Sequence, residues 1–174
     1  MQPLFLAITL MGSTVTSQTT LQPWEITRLS SSGLPYRSEA ACHDPLNTLA
    51  VEIRDPNSYS GLTTAPNMTQ CIAKFPYCDP PFRKPFNCTE VSHGSWSFTF
   101  YPTQANVDTK YWNPGQDFTI SLRLALRERG VWFDGKASFS VGGNMRGLCS
   151  AGGICSFSLK EELAPVLVNQ TGSM

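Results

Sequence analysis

The 174-residue chain lacks an excess of charge of either sign, since its thirteen basic and thirteen acidic residues balance. It has no basic stripe of the kind that neutralises phosphates, so nucleic acid is not an expected partner. It also lacks the roughly 20 consecutive apolar residues that a membrane-spanning helix needs. No segment has apolar residues at the spacing of three and four positions that an amphipathic helix requires. We therefore expect a protein that contacts neither nucleic acid nor, once a leader is removed, a membrane.

Catalytic signals are scarce as well. Only two histidines occur, His43 and His93, and no G-x-S-x-G motif accompanies them, which disfavours a nucleophilic hydrolase. The cysteines do not have the C-x2-C spacing of a zinc site, and we expect no metal and no cofactor. The sequence thus favours a non-enzymatic protein. The alternative is a secreted carbohydrate-active hydrolase that uses an Asp/Glu pair, although the sequence does not single out a pair.

The amino terminus indicates secretion. Residues 4–11 are mostly apolar, and small and hydroxyl-bearing residues follow as far as Ser17. This pattern predicts a secretory signal peptide over residues 1–17, cleaved near Gln18. The remaining residues, 18–174, are enough for one extracellular domain.

Six cysteines follow the predicted cleavage site, an even number that suits three disulfides in an oxidising compartment. Cys149 and Cys155 are the first expected pair, because the five residues between them include two glycines and can close a tight loop. Such a bridge would contribute about 2 kcal/mol on the loop-entropy model. The other four staple the segment 42–88 in a pairing that stays open: Cys42, Cys71, Cys78 and Cys88.

Three N-x-[ST] sequons predict a glycoprotein, with the modified asparagines on the surface. They begin at Asn67, Asn87 and Asn169. All three lie in turn-like or terminal segments. Asn87 is the least suitable, because the middle residue of its sequon is a cysteine.

Alternation of apolar and polar residues predicts an all-β domain. The clearest strand covers residues 118–127, and further strands are predicted over 24–29, 49–53, 96–100, 154–159 and 165–168. Asp134-Gly135 is predicted to form a tight hairpin between 131–133 and 136–141. Turns are predicted at 55–57, 113–115 and 142–144. Seven or more short strands at this spacing favour a disulfide-stapled β-barrel or β-sandwich.

Residues 55–88 are rich in proline and cysteine and are predicted to form a long loop region, where binding function is often found. Aromatic side chains in and beyond this region could contact a ligand. The alternative is that the rings cover one end of the barrel. The ligand-binding candidates are Phe75, Tyr77, Phe82, Phe86, Tyr111 and Trp112. The expected partner is a host extracellular protein or a small hydrophobic or glycan ligand.

The layout resembles small secreted fungal proteins of the Alternaria major-allergen type. The resemblance lies in the early strand Trp24-Glu25-Ile26-Thr27 with its Ser-rich continuation, the mid-chain cysteine cluster before Trp96-Ser97-Phe98, and the late pair Cys149 and Cys155. It implies a compact β-barrel or sandwich, secretion by an ascomycete, and an elicitor-, effector- or allergen-like role at a host or cell-wall interface without enzymatic activity.

The resemblance also bears on the disulfides. It implies a mid-chain bridge from Cys71 to Cys88 or to Cys78, together with the late bridge Cys149–Cys155. A structural cell-wall protein is a further alternative.

Overall fold

The computed structural model describes residues 21–33, 47–59, 66–76, 81–103, 117–127 and 130–173. Several predictions concern residues outside these ranges: the signal peptide at 1–17, the turn at 113–115, and the side chains of Cys42, Cys78, Tyr77, Tyr111 and Trp112. They stay predictions.

The described residues form antiparallel β-structure with one short 3-10 helix at Glu161–Leu163. No helix among them has the length and apolar character to cross a membrane. The strands are β1 (Trp24–Gly33), β2 (Asn47–Asp55), β3 (Asn67–Phe75), β4 (Pro85–Asn87), β5 (Gly94–Pro102), β6 (Asp117–Leu126), β7 (Trp132–Ser140), β8 (Met145–Cys149), β9 (Cys155–Leu159), β10 (Val166–Val168) and β11 (Gln170–Ser173).

The strands build two sheets. Sheet 1 has the order β3-β2-β1-β9-β8, and β10 pairs with the first residues of β1. Sheet 2 has the order β11-β7-β6-β5-β4. The predicted single all-β domain is confirmed, and of its two forms the strands build the two-sheet sandwich.

The core lies between the two sheets and follows from the alternation read in the sequence. In β6, the five apolar side chains on one face are all buried, as predicted: Phe118, Ile120, Leu122, Leu124 and Leu126. Aromatic rings from both sheets meet there. The ring centroids of Trp24 in β1 and Trp96 in β5 are 4.5 Å apart, and those of Phe75 in β3 and Phe100 in β5 are 6.4 Å apart. Burial of these rings supplies the main favourable term for the sandwich.

The hairpin predicted at Asp134-Gly135 is wrong. Both residues lie inside the continuous strand β7, where Asp134 is opposite Arg123 of β6 and pairs with its guanidinium through contacts of 2.7 and 3.0 Å. Gly135 is buried because β10 and β11 approach the strand there. A Cβ at this position would lie 2.6 Å from Cγ1 of Val168 and 3.2 Å from Cζ3 of Trp24. The glycine therefore permits close packing, and the turn signal was misleading.

Gly135→Ala tests this packing. We expect it to lower the free energy of unfolding by about 1–3 kcal/mol, the usual range for an overpacked core. Gly130→Ala is the control. Open space surrounds Gly130 and only its positive φ of 60° opposes a side chain, so any loss of stability there comes from the backbone conformation and not from overpacking. Urea unfolding measures both variants. An unchanged midpoint for Gly135→Ala would contradict the close approach of β10.

The loop region predicted for residues 55–88 is wrong in part. The nine-residue strand β3 occupies much of it and pairs along its whole length with β2, and the short strand β4 pairs with β5. The alternation in β3 is present but easily overlooked, because two of its inward residues, Thr69 and Ala73, are small or polar. Thr69 is satisfied by donating its hydroxyl to the carbonyl of Thr89 at 2.8 Å.

Two disulfides hold the described residues. Cys149–Cys155 is confirmed and closes the β8–β9 hairpin. Cys71 pairs with Cys88, which is the first of the two mid-chain pairings that the resemblance implied. This bridge connects edge strand β3 of sheet 1 to the residue that follows edge strand β4 of sheet 2. Cys42 and Cys78, the two remaining cysteines of the sequence, lie outside the described residues, and the prediction that they take part in disulfides is not tested.

Candidate ligand-binding groove

The outer face of sheet 1 carries an array of serine hydroxyls. In β1 and β9, the register places Ser30 opposite Ser158 and Ser32 opposite Ser156. The four side chains are exposed, and no described residue offers their hydroxyls a hydrogen bond. Neighbouring strands lie about 5 Å apart and alternate residues along a strand about 7 Å apart, so these hydroxyls form a regular two-by-two array.

The array lies at the floor of a groove because the longer side chains stand on the edge strands. The floor continues onto β2 through Thr48 and Ala50, which are opposite Ser32 and Ser30. On β8, Leu148 is opposite Ser156 and Arg146 is opposite Ser158. On β3, Lys74 and Ile72 continue the same two rows. We call this depression the serine groove and define its floor as Ser30, Ser32, Thr48, Ser156 and Ser158.

The serine groove contains a cleft of about 730 Å³, within the range of small-molecule sites. Leu148 adds apolar surface beside the hydroxyl floor, whereas Phe157 of β9 is buried in the core. The side chain of Leu148 is 84% exposed, so its burial by a ligand would be favourable. A second cleft of about 510 Å³ shares Ser30 and Ser158 with the first and extends the groove along the sheet.

Charge is distributed unevenly along the groove. Among the described residues that line the larger cleft, Arg146 alone is charged. The second cleft is lined by Arg28, Glu52 and Glu161. Arg146 lies 3.6 Å from Glu161, and Arg28 lies 3.8 Å from Glu52. These are long, solvent-exposed ion pairs of the kind that contribute little to stability.

Glu52 and Glu161 are the carboxylates that the hydrolase alternative could use. They line the same cleft, but the Glu161 side chain is 91% exposed. A glycosidase acid works in a site from which water can be excluded, and this position offers no such enclosure.

Three of the predicted aromatic ligand contacts, Phe75, Phe82 and Phe86, lie among the described residues and are placed outside the serine groove. Phe75 is 4% exposed and belongs to the core. The half-buried Phe86 packs on Phe98 at 5.6 Å and on Phe100 at 6.0 Å, and Phe82 also packs against the core. These rings cover the core beside the β3 and β4 edges, as in the alternative reading of the sequence.

The three sequons differ in their surroundings. The side-chain amide nitrogen of Asn67, to which a glycan would be attached, is buried and has no hydrogen-bond partner among the described residues. Asn87 and Asn169 are exposed. Asn87 and Asn169 are therefore more accessible to modification than Asn67, and glycosylation of any of the three stays a prediction.

Among the described residues, a second concentration of titratable and polar groups is a buried cluster at one end of the sandwich. Asp55 is 1% exposed and accepts hydrogen bonds from the amide N–H and side-chain Nδ2 of Asn57 and from the hydroxyl of Tyr59. Burial and the nearby Asp55 carboxylate both raise the pKa of Tyr59. Because Asp55, Asn57 and Tyr59 satisfy one another's hydrogen bonds at the end of β2, we interpret these three residues as structural.

His93 completes this cluster. It is 2% exposed, its ring stacks on Tyr59 at 5.6 Å, and neither ring nitrogen has a hydrogen-bond partner among the described residues. Burial lowers the pKa of His93 below its ordinary value of 6.5, although the Asp55 carboxylate opposes the shift. The folded protein thus holds a neutral imidazole that the unfolded chain protonates more readily.

This difference predicts a loss of stability in acid. The contribution of the buried His93 to the free energy of unfolding is fully present above pH 6.5. It decreases as the pH drops from 6.5 toward the lower pKa of the folded state, by at most about 1.4 kcal/mol per pH unit. His93→Phe keeps a ring against Tyr59 and should flatten the dependence between pH 7.5 and 5. The matched control is His43→Gln, which removes the other histidine of the sequence. Equal dependence in the wild type and both variants, measured by urea unfolding, would contradict this role.

The serine groove was not predicted from the sequence. One signal was available, since Ser30, Ser32, Ser156 and Ser158 each occupy the outward position of an alternating strand. The sequence does not show, however, that β1 and β9 are neighbours. Only their pairing places the four hydroxyls together.

The fold and groove define a disulfide-linked, two-sheet β-sandwich with a hydroxyl-lined groove on one outer face. No family model, curated protein or solved structure matches the chain. The resemblance to the Alternaria-type proteins therefore stays a prediction.

Proposed function

We propose that the protein is a secreted, non-enzymatic binding protein that holds a saccharide in the serine groove. The observation that carries the proposal is the array of four exposed serine hydroxyls on β1 and β9, which lies on the floor of a 730 Å³ cleft. The extracellular assignment is supported by the disulfides, which persist in oxidising compartments.

A saccharide fits this lining better than a purely hydrophobic ligand does. Each serine hydroxyl donates one hydrogen bond and accepts others, so the floor matches a ligand with many hydroxyls. An apolar ligand would displace water from the four hydroxyls and leave them unpaired, at a cost of about 1–3 kcal/mol for each group fully buried. Leu148, which is largely exposed beside the hydroxyl floor, supplies the apolar contact that the C–H face of a sugar ring requires.

A host protein as partner, an effector- or allergen-like role and a structural role in the cell wall remain compatible with a sugar-binding surface. Each would use the same groove to bind a glycan on a host surface or in a wall. The groove therefore provides a common test for all three roles.

The test is calorimetric titration of the purified protein with neutral and acidic plant and fungal oligosaccharides. We expect one panel member to bind. Changing Ser30 and Ser158 together to alanine should weaken its binding about 30-fold, the equivalent of two hydrogen bonds of about 1 kcal/mol each. Changing Ser95 and Ser121 to alanine is the matched control, because these serines lie on β5 and β6 of sheet 2, away from the groove.

Two results would overturn the proposal. One is that no oligosaccharide binds. The other is that the groove and control variants bind the ligand equally well. Release of reducing sugar that is lost in Glu52→Gln or Glu161→Gln would instead favour the hydrolase.

A further inference from the structure

We infer that the saccharide is acidic and that Arg146 binds its carboxylate. This inference rests on the proposed function and adds the charge of the ligand. It follows from three features of the groove: the cation on its wall, the weakness of that cation's present ion pair, and the row of hydroxyls that begins beside it.

Arg146 is suited to receive an anion from the ligand. It lines the larger cleft, where no other described lining residue is charged, and its side chain is 55% exposed. Its partner Glu161 is 91% exposed and 3.6 Å away, a distance too long for a strong hydrogen bond. A ligand carboxylate could displace Glu161 and form the two parallel N–H···O bonds that a guanidinium favours.

The register connects this cation to the hydroxyl floor. Arg146 is opposite Ser158, and Ser158 is opposite Ser30, so one row across β8, β9 and β1 presents a guanidinium followed by two hydroxyls. Neighbouring positions in the row are about 5 Å apart. A sugar unit that carries both hydroxyls and a carboxylate matches that sequence of groups, and a uronic acid is such a unit.

Lys74 adds to the positive potential on the opposite side. It continues the row of Ser32 and Thr48 onto β3. The floor between Arg146 and Lys74 carries only neutral residues, so a chain of uronates across it would meet a cation on each side. Charge complementarity of this kind favours an acidic over a neutral chain.

The experiment compares two ligands with the same sugar backbone, tetragalacturonic acid, whose carboxylates are charged, and its fully methyl-esterified form, whose ester groups are neutral. Calorimetry at low salt should show the acid binding the wild-type protein about tenfold more tightly than the ester. The preference should decrease as salt is added. Arg146→Gln should reduce the ratio of acid to ester affinity to about one, whereas Arg123→Gln, on the outer face of sheet 2, should retain the wild-type ratio.

The outcomes separate this inference from the proposed function. Equal binding of acid and ester, weakened in both cases by the Ser30 and Ser158 changes, would overturn the acidic ligand and leave saccharide binding intact. Binding of neither tetramer, together with binding of a neutral oligosaccharide, would do the same. An acid preference that Arg146→Gln does not alter would also overturn the inference, because it would place the anion contact elsewhere.

Discussion

Replacing Trp24 by alanine is expected to lower the free energy of unfolding by about 3–5 kcal/mol, the usual cost of removing a buried aromatic side chain. Trp24 is fully buried in β1 and packs edge-on against Trp96 of the opposite sheet. Its indole N–H also points to the hydroxyl of Tyr59 at 3.5 Å. The change therefore removes contacts between the two sheets and leaves a cavity between them.

A loss of this size is a large fraction of the 5–15 kcal/mol that stabilises an ordinary domain, so the variant should be partly unfolded at 37 °C. Urea unfolding at 25 °C measures the loss. Trp132→Ala is the control, because Trp132 lies on the outer face of β7 and is 36% exposed. It should cost clearly less than Trp24→Ala, because the Trp132 side chain is partly exposed and lies outside the core. Similar losses for the two variants would contradict the placement of Trp24 at the centre of the core.

Removing the Cys71–Cys88 bridge should have the second-largest effect. Its 17-residue separation closes a longer loop than the 6-residue separation of Cys149–Cys155. The loop-entropy model gives about 3 kcal/mol for the first and about 2 kcal/mol for the second. Because Cys71 is also fully buried and joins the edges of the two sheets, we expect its loss to lower the cooperativity of unfolding as well.

The measurement compares the double variants Cys71→Ala/Cys88→Ala and Cys149→Ala/Cys155→Ala under oxidising conditions. Alanine at both positions avoids a reactive free thiol. The expected order of stability is wild type, then the late-bridge variant, then the mid-chain variant. A reversed order would show that the late hairpin, and not the junction of the sheets, limits stability.

Much of the fold could be predicted from local patterns. The alternation in β2, β5 and β6 predicted three central strands correctly, and the Ser150–Ile154 loop predicted a disulfide across its ends. The errors occurred where a local pattern had a non-local cause. Asp134-Gly135 has the composition of a turn, but Asp134 pairs with an arginine on the next strand and Gly135 accommodates Val168.

The candidate site was less predictable than the fold. Aromatic residues were predicted as ligand contacts, but Phe75, Phe82 and Phe86 pack in or against the core. Serine is common on exposed strand faces, so neither Ser30 nor Ser156 by itself indicates a binding site. The site consists of their arrangement side by side, which requires the pairing of β9 with β1.

The sequence by itself determined the all-β class, the faces of the clearest strands and the late disulfide, because alternation and loop closure depend on residues close together in the chain. Tertiary structure decided which strands are neighbours, which cysteine pairs with Cys71, and which side chains share the outer face of sheet 1. The reason is that strand pairing and sheet packing depend on residues far apart in sequence. The groove is a product of that pairing, with short side chains on its central strands and longer ones on its edges.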